Sequence, residues 1–332
     1  MISKKHSLFL WLLLLVVLPS AFFLHFATGE ISISWSTFQD AWFSFDSSNS
    51  EHLIIREFRT PRFLMACLAG AGLSVAGLMM QTLFNNPLAG PYILGINSGS
   101  SLFVALSLMT GFTIFKSDFG IVASALLGAF VFGLIILALS FRIKNGISLL
   151  LVGLMLGSFS GALVSVIQFL SEANSLKIFT MWAMGSLQSV QSDQLISIFG
   201  LFLLGVLGSF FLVKSLNSLV LGETEADQLG ISIRRVRMLI IGCTALLTGL
   251  VTAFCGPIAF IGLAVPNLVK ILFKTQDHRI LMPASLLLGA VFLVSCDILV
   301  QIFATYVPLP INAVTSLIGA PMVIYFILKR LA

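Results

Sequence analysis

Residues 62–97 read RFLMACLAGAGLSVAGLMMQTLFNNPLAGPYILGIN, and after Arg62 the stretch holds no charged side chain. A bilayer core is crossed by about 20 consecutive apolar residues in a helix. Residues 62–83 therefore read as a membrane-spanning helix. The segment that follows, Asn85-Asn86-Pro87-Leu88-Ala89-Gly90-Pro91, cannot continue it, because proline lacks the amide donor a helix needs. Inside the span, Gly70 and Ser74, and Gly72 and Ala76, are spaced by four. Small residues on one helix face let a neighbouring backbone approach closely, which is how helices associate in lipid.

The same grammar extends along the chain. Of 332 residues, 58% are hydrophobic and 9% charged, against about 25% charged in soluble domains. That composition excludes a water-soluble globular protein, since too little polar surface exists to cover one. Ten candidate spans follow, at about 8–27, 62–83, 98–113, 119–141, 148–170, 194–213, 236–254, 258–273, 281–304 and 312–328. The third is short, and the eighth is interrupted by glycine and proline. The expectation is an all-α polytopic membrane protein, one transmembrane domain over 1–332 with no appended soluble domain. The first span follows Lys4 and Lys5 and resembles a leader peptide, but its length and the lack of an A-x-A site favour a retained helix.

Basic residues orient the spans. With a cytoplasmic N-terminus and ten crossings, thirteen Lys and Arg fall inside and five outside (Arg56, Arg59, Arg62, Lys116 and Lys177). That agrees with the positive-inside rule and places both termini in the cytoplasm. The net charge of +5 is thus a membrane signature, and no nucleic-acid partner is expected.

Few polar groups interrupt the spans. Asp297 is the one ionisable residue clearly within a span. An acid there is costly and often functional. A lone acid is poor material for a proton relay, so the favoured reading is an inward-facing residue bonded to a neighbouring helix. Cys67, Cys243, Cys255 and Cys296 sit in apolar surroundings without a CxxC pair and read as small core residues. No His pair has metal-ligand spacing. Gly153, Gly157 and Gly161 line one face of the fifth span, and Gly161, Ser165 and Gln168 form a small, polar face that could line a passage.

A second break, Gly256-Pro257-Ile258-Ala259-Phe260-Ile261-Gly262, lies 166 residues beyond the first, GP to GP. The topology puts the first break at the cytoplasmic side and the second at the outer side. That suits an inverted repeat, with spans two to five matching seven to ten. Between spans six and seven, about 215–233, Glu223, Glu225 and Asp227 sit where a helix dipole favours acids, and Gly230 is placed to end that helix. A helix of about two turns is expected there, on the cytoplasmic surface, with Glu223, Ala226 and Leu229 on one face.

Several motifs together carry a family resemblance. Arg59-Thr60-Pro61-Arg62, the run Ala69 to Gly77 with Gln81, Asn86-Pro87-Leu88-Ala89, Leu94-Gly95 and Ser98-Gly99 are similar to the FecCD family. So are Gly222 to Gly230, Gly256 to Leu263, Val265-Pro266, Asp277-His278-Arg279, Leu309-Pro310 and Gly319-Ala320-Pro321. These are permease subunits of type II ABC importers for iron-siderophores, haem and vitamin B12. The resemblance implies a ten-helix fold in the bacterial cytoplasmic (inner) membrane. It also implies a second permease copy, with helices five and ten lining a path between the two. Two ATP-binding subunits would dock on the 215–233 loop through Glu223, Ala226 and Leu229. An extracytoplasmic substrate-binding protein would dock near Arg59 and Arg62. Asn85, Asn86, Pro87 and Leu88 would lie by the inner gate.

The chain contains no GxxxxGK[ST] and no Gly-Lys pair. It is therefore expected to be no enzyme and to bind no cofactor or metal, with ATP and Mg used by the partner ATPase. The expected function is transport of an iron-siderophore-type chelate into the cytoplasm; the alternatives are the same importer type for haem or cobalamin, or, less favoured, an ion-coupled secondary transporter. The family often carries another arginine near the end of helix nine, where this chain has Gln301.

Overall fold

A computed structural model of the chain describes residues 4–29, 31, 33–109, 118–143, 145–304 and 306–331. The described residues are helical or irregular. In chain order the helices are α1 (Lys4–Ala27), α2 (Trp35–Phe43), α3 (Ser50–Leu53), α4 (Thr60–Leu83), α5 (Ile96–Met109), α6 (Asp118–Ser140), α7 (Gly146–Leu170), α8 (Ala173–Ala183), α9 (Leu195–Phe211), α10 (Val213–Leu219), α11 (Glu223–Gln228), α12 (Ile233–Cys255), α13 (Ile261–Phe273), α14 (His278–Ala304) and α15 (Ile311–Leu331). A π-helical turn, Ile54–Arg59, runs into α4. Each of the ten expected spans falls on a helix. Among the described residues, seven helical stretches are long and apolar enough to cross a membrane, while α5, α13 and the apolar part of α15 are shorter. Lys116, Lys144 and positions 110–113 of the expected third span lie outside the described residues. Helices α2, α3, α8 and α10 were not expected, because short amphipathic connectors leave little periodic signal.

Helix α4 is the axis of the fold. In its most apolar window 83% of residues are buried, against 17% for α7. It packs on α14, α13, α12 and α9. Glycines set these approaches. A methyl added to Gly70 would collide with the Gly289 carbonyl on α14, and one added to Gly77 with the backbone of Gly262 on α13. Ser74, beside Gly289, turns its hydroxyl onto its own helix, donating to the Gly70 carbonyl at 2.8 Å. Gly99 of α5 and Gly128 of α6 form a second such contact. Of the three glycines expected to share a packing face on α7, Gly153 approaches the Ile93 carbonyl and Gly157 the Ser98 hydroxyl, but Gly161 has nothing near it.

The two breaks begin at opposite ends of the bundle and meet inside it. Residues 91–94 form one turn of 3-10 helix that ends at Gly95, φ +75°. Past α12, Gly256 (φ +69°) and Phe260 (φ +66°) turn the chain into α13. The Ile258 N–H donates to the Tyr92 hydroxyl at 3.1 Å. Side chains satisfy two further groups of the irregular backbone, which at membrane depth needs partners within the protein. Asn312 accepts from the Ala259 N–H at 3.0 Å, and Asn267 donates to the Pro87 carbonyl at 2.8 Å.

Overpacking a close contact costs about 1–3 kcal/mol, and more when the obstacle is backbone. Gly289→Val is therefore expected to lower the thermal midpoint in detergent by several degrees or abolish the monodisperse peak in size-exclusion chromatography. Gly161→Ala, which meets open space, should leave both unchanged.

Candidate functional site

At the end of the bundle where α4 begins, three helices converge on Asp297. The Arg62 guanidinium grips it bidentately, Nε to Oδ2 at 2.8 Å and Nη2 to Oδ1 at 2.8 Å. His25 of α1 lies with Nε2 2.8 Å from Oδ2, and Gln301, one turn along α14, donates to the same oxygen at 3.2 Å. Asp297 is only 1% exposed, so this pairing is what makes a carboxylate tolerable there. The carboxylate is thus bonded to neighbouring helices, as the composition of the spans suggested. His25 was not foreseen. A histidine in an apolar run carries no periodic mark of its partner, 272 residues away.

The other arginine, Arg59, is also turned inward and donates to the carbonyls of Phe26 and Ile31. It is buried, and Arg62 is largely so. Arg56, by contrast, is exposed and lies over the ring of Phe45, 4.4 Å from its centroid. A cavity of about 600 Å³ opens beside Arg62 and Asp297, walled by Trp182, Gln188 and Pro308 among others. The indole N–H of Trp182 is buried there without a hydrogen-bond partner.

At the opposite end, Asn85, Asn86, Pro87 and Leu88 all line one cavity of about 780 Å³ between α4, α13 and α15. Asn85 takes φ +45°, which an asparagine adopts more readily than most residues. Gly161, Ser165 and Gln168 are not brought to this cavity. They lie on α7, where Gly161 and Ser165 are exposed, Gln168 is half-buried, and Ser165 donates back to the Gly161 carbonyl at 3.0 Å.

The connector between α9 and α12 carries the short acidic helix α11, ended by Gly230 at φ +81°. Glu223 and Leu229 are exposed, but Ala226 between them is turned inward. Glu223 binds Arg237 of α12 at 2.6 Å, Ala226 is fully buried, and Leu229 is 63% exposed. Asn217 of α10 locks the connector to α14, accepting the His278 N–H at 2.7 Å and donating to Asp277 at 2.7 Å. The Arg279 backbone N–H, with help from Asn217, holds the Asp277 carboxyl below its ordinary range against the opposing effect of burial. The four cysteines are free thiols, and among the described residues no group of three metal-ligating side chains converges.

Comparison with known proteins covers nearly the whole chain. The FecCD transport family matches residues 13–329. The hemin transport system permease protein HmuU of Yersinia pestis is 33% identical over 307 residues, 91% of this chain and 90% of its own. The vitamin B12 import system permease protein BtuC of Vibrio cholerae is 35% identical over 322 residues, 96% and 93% of the two chains. A solved ABC transporter described as of metal-chelate type, in an inward-facing conformation, superposes with a TM-score of 0.84 at 30% identity, covering 98% of this chain and 100% of that one.

Removing one partner of a buried ion pair costs about 3–5 kcal/mol, whereas replacing both with apolar groups of similar volume is often neutral. Asp297→Ala should therefore unfold at a markedly lower temperature in detergent. The double variant Arg62→Met, Asp297→Leu should recover much of the loss. A double variant less stable than the single one would contradict this account of the cluster.

Proposed function

The chain belongs to the FecCD transport family, a family of ABC-importer permease subunits, and from that premise we propose that it carries a bulky metal chelate into the cytoplasm. The carrying observation is the end-to-end fit of the chain onto a metal-chelate type ABC transporter. As a permease subunit it is a non-catalytic transport component. The cargo class spans iron-siderophores, haem and cobalamin. Relatives named for hemin and for vitamin B12 give haem and cobalamin at least the standing of siderophores.

The assembly in this reading is two permease copies, two ATP-binding subunits that use ATP and Mg, and an extracytoplasmic binding protein. The chain forms one transmembrane domain of ten crossings in the bacterial inner membrane, with both termini cytoplasmic and no cofactor of its own. An inverted repeat is supported by reciprocal packing: α4 lies on α14 as α12 lies on α6. The exposed face of α7, with Gly161, Ser165 and Gln168, suits a path completed by the second copy. Asn85, Asn86, Pro87 and Leu88 stand by the inner mouth. Arg59 and Arg62 stand at the outer end but are turned inward in the single chain, Arg62 onto Asp297. Docking through them requires an acidic partner that draws them outward, while Arg56 is already exposed there for steering and register. On the coupling loop, about 215–233, Leu229 offers the apolar contact to the ATPase, while Ala226 and the Glu223–Arg237 pair hold α11 beneath it.

Purification of the tagged chain from its host in mild detergent should recover a P-loop ATPase, identified by mass spectrometry. Reconstituted with that ATPase and the binding protein, it should take up chelate only with ATP. Leu229→Glu, at an exposed site, should reduce uptake by tenfold or more without changing the thermal midpoint. Uptake driven by a proton gradient in the absence of ATP would replace this reading with a secondary transporter.

A further inference from the structure

The cavity lined by Asn85 to Leu88, beside the proposed inner mouth, carries a further chemistry in the rest of its wall. Its wall includes two cations, Lys270 near the end of α13 and Lys329 near the end of α15, and no carboxylate among the described residues. The Lys270 ammonium is aimed by the Gln81 side chain, whose Oε1 accepts from Nζ at 2.9 Å. Gln81 is itself fixed through its amide, which donates to the Leu263 carbonyl at 3.2 Å. Lys329 is exposed, its Nζ 5.9 Å from the Tyr325 ring centroid. Leu88, and Val323 and Phe326 on the same helix as Lys329, add apolar surface to the lining. Positive charge and hydrocarbon therefore meet in one opening of about 780 Å³, at the end of the bundle.

We propose that this cavity binds the phosphate headgroup of an anionic phospholipid. The two lysines would contact the phosphate, and Leu88, Val323 and Phe326 the start of the acyl chains. Basic pockets between transmembrane helices at a membrane face suit anionic headgroups. An ammonium on a flexible stem serves as a point charge for phosphate. Inorganic phosphate shares the headgroup chemistry, but it has no use for the apolar lining. The bound lipid braces α15 from the side of Val323 and Phe326. The opposite face of that helix, with Leu317 at 73% and Leu328 at 62% exposure, remains open for another contact. The proposal needs neither the identity of the cargo nor the importer reading.

Native mass spectrometry of the delipidated full-length chain in mild detergent tests it directly. The chain is titrated with phosphatidylglycerol, with phosphatidylcholine and with inorganic phosphate. Phosphatidylglycerol should bind at least tenfold more tightly than phosphatidylcholine. Affinity should fall about fivefold for each lysine replaced in Lys270→Gln and Lys329→Gln, while Lys214→Gln, an exposed lysine on α10, should have no effect. Lys329→Gln alone, at an exposed position, keeps the test decisive should the Lys270 variant fail to fold. Equal binding of the two lipids, or undiminished phosphatidylglycerol binding in Lys329→Gln, would overturn the proposal. Full displacement of the lipid by millimolar inorganic phosphate would do the same, marking a free-anion site instead.

Discussion

Between α4 and its neighbours α13 and α14 there is room for a hydrogen atom and no room for a methyl group. Gly70 faces Gly289, and Gly77 faces Gly262, so backbones rather than side chains make the contact. Lipid gives two apolar helices no hydrophobic reason to associate, and close van der Waals contact has to replace it. That is why α4, the most buried of the long apolar helices, carries glycine at its closest contacts. The rest of the bundle is arranged around this axis. Helix α14 brings Asp297 to the start of α4, and α13 brings Asn267 to the loop after its end.

The Asp297 cluster follows from that placement. Three helices meet at one carboxylate, so its burial depends on α1, α4 and α14 all being seated. With Gln301 at the next turn of α14, the cationic partner comes across the helix interface from Arg62. The same geometry draws both Arg59 and Arg62 inward in the single chain. Arg56 is left as the exposed arginine at that end of α4.

The breaks show how irregular backbone survives inside such a bundle. Each turns on residues held at positive φ, Asn85 and Gly95 in one, Gly256 and Phe260 in the other. Their unpaired polar groups find Tyr92, Asn312 and Asn267. A hydrogen bond joining residues 92 and 258 ties the two breaks to each other.

Much of the architecture was legible in the residues alone. Apolar run length marks helices because the bilayer sets the length, and each of the ten runs became a helix. Gly70 and Ser74 announced a close-packed face, and Glu223 to Gly230 a short capped helix, because both signals are local. The partners were beyond reach. Nothing in a linear string says that Asp297 meets His25 and Arg62, that Ala226 faces inward while Leu229 faces out, or that Gly161 meets no neighbour where Gly153 does. Those facts depend on how each helix is rotated about its axis. Rotation is settled by packing against helices remote in sequence, so only the tertiary structure decides it.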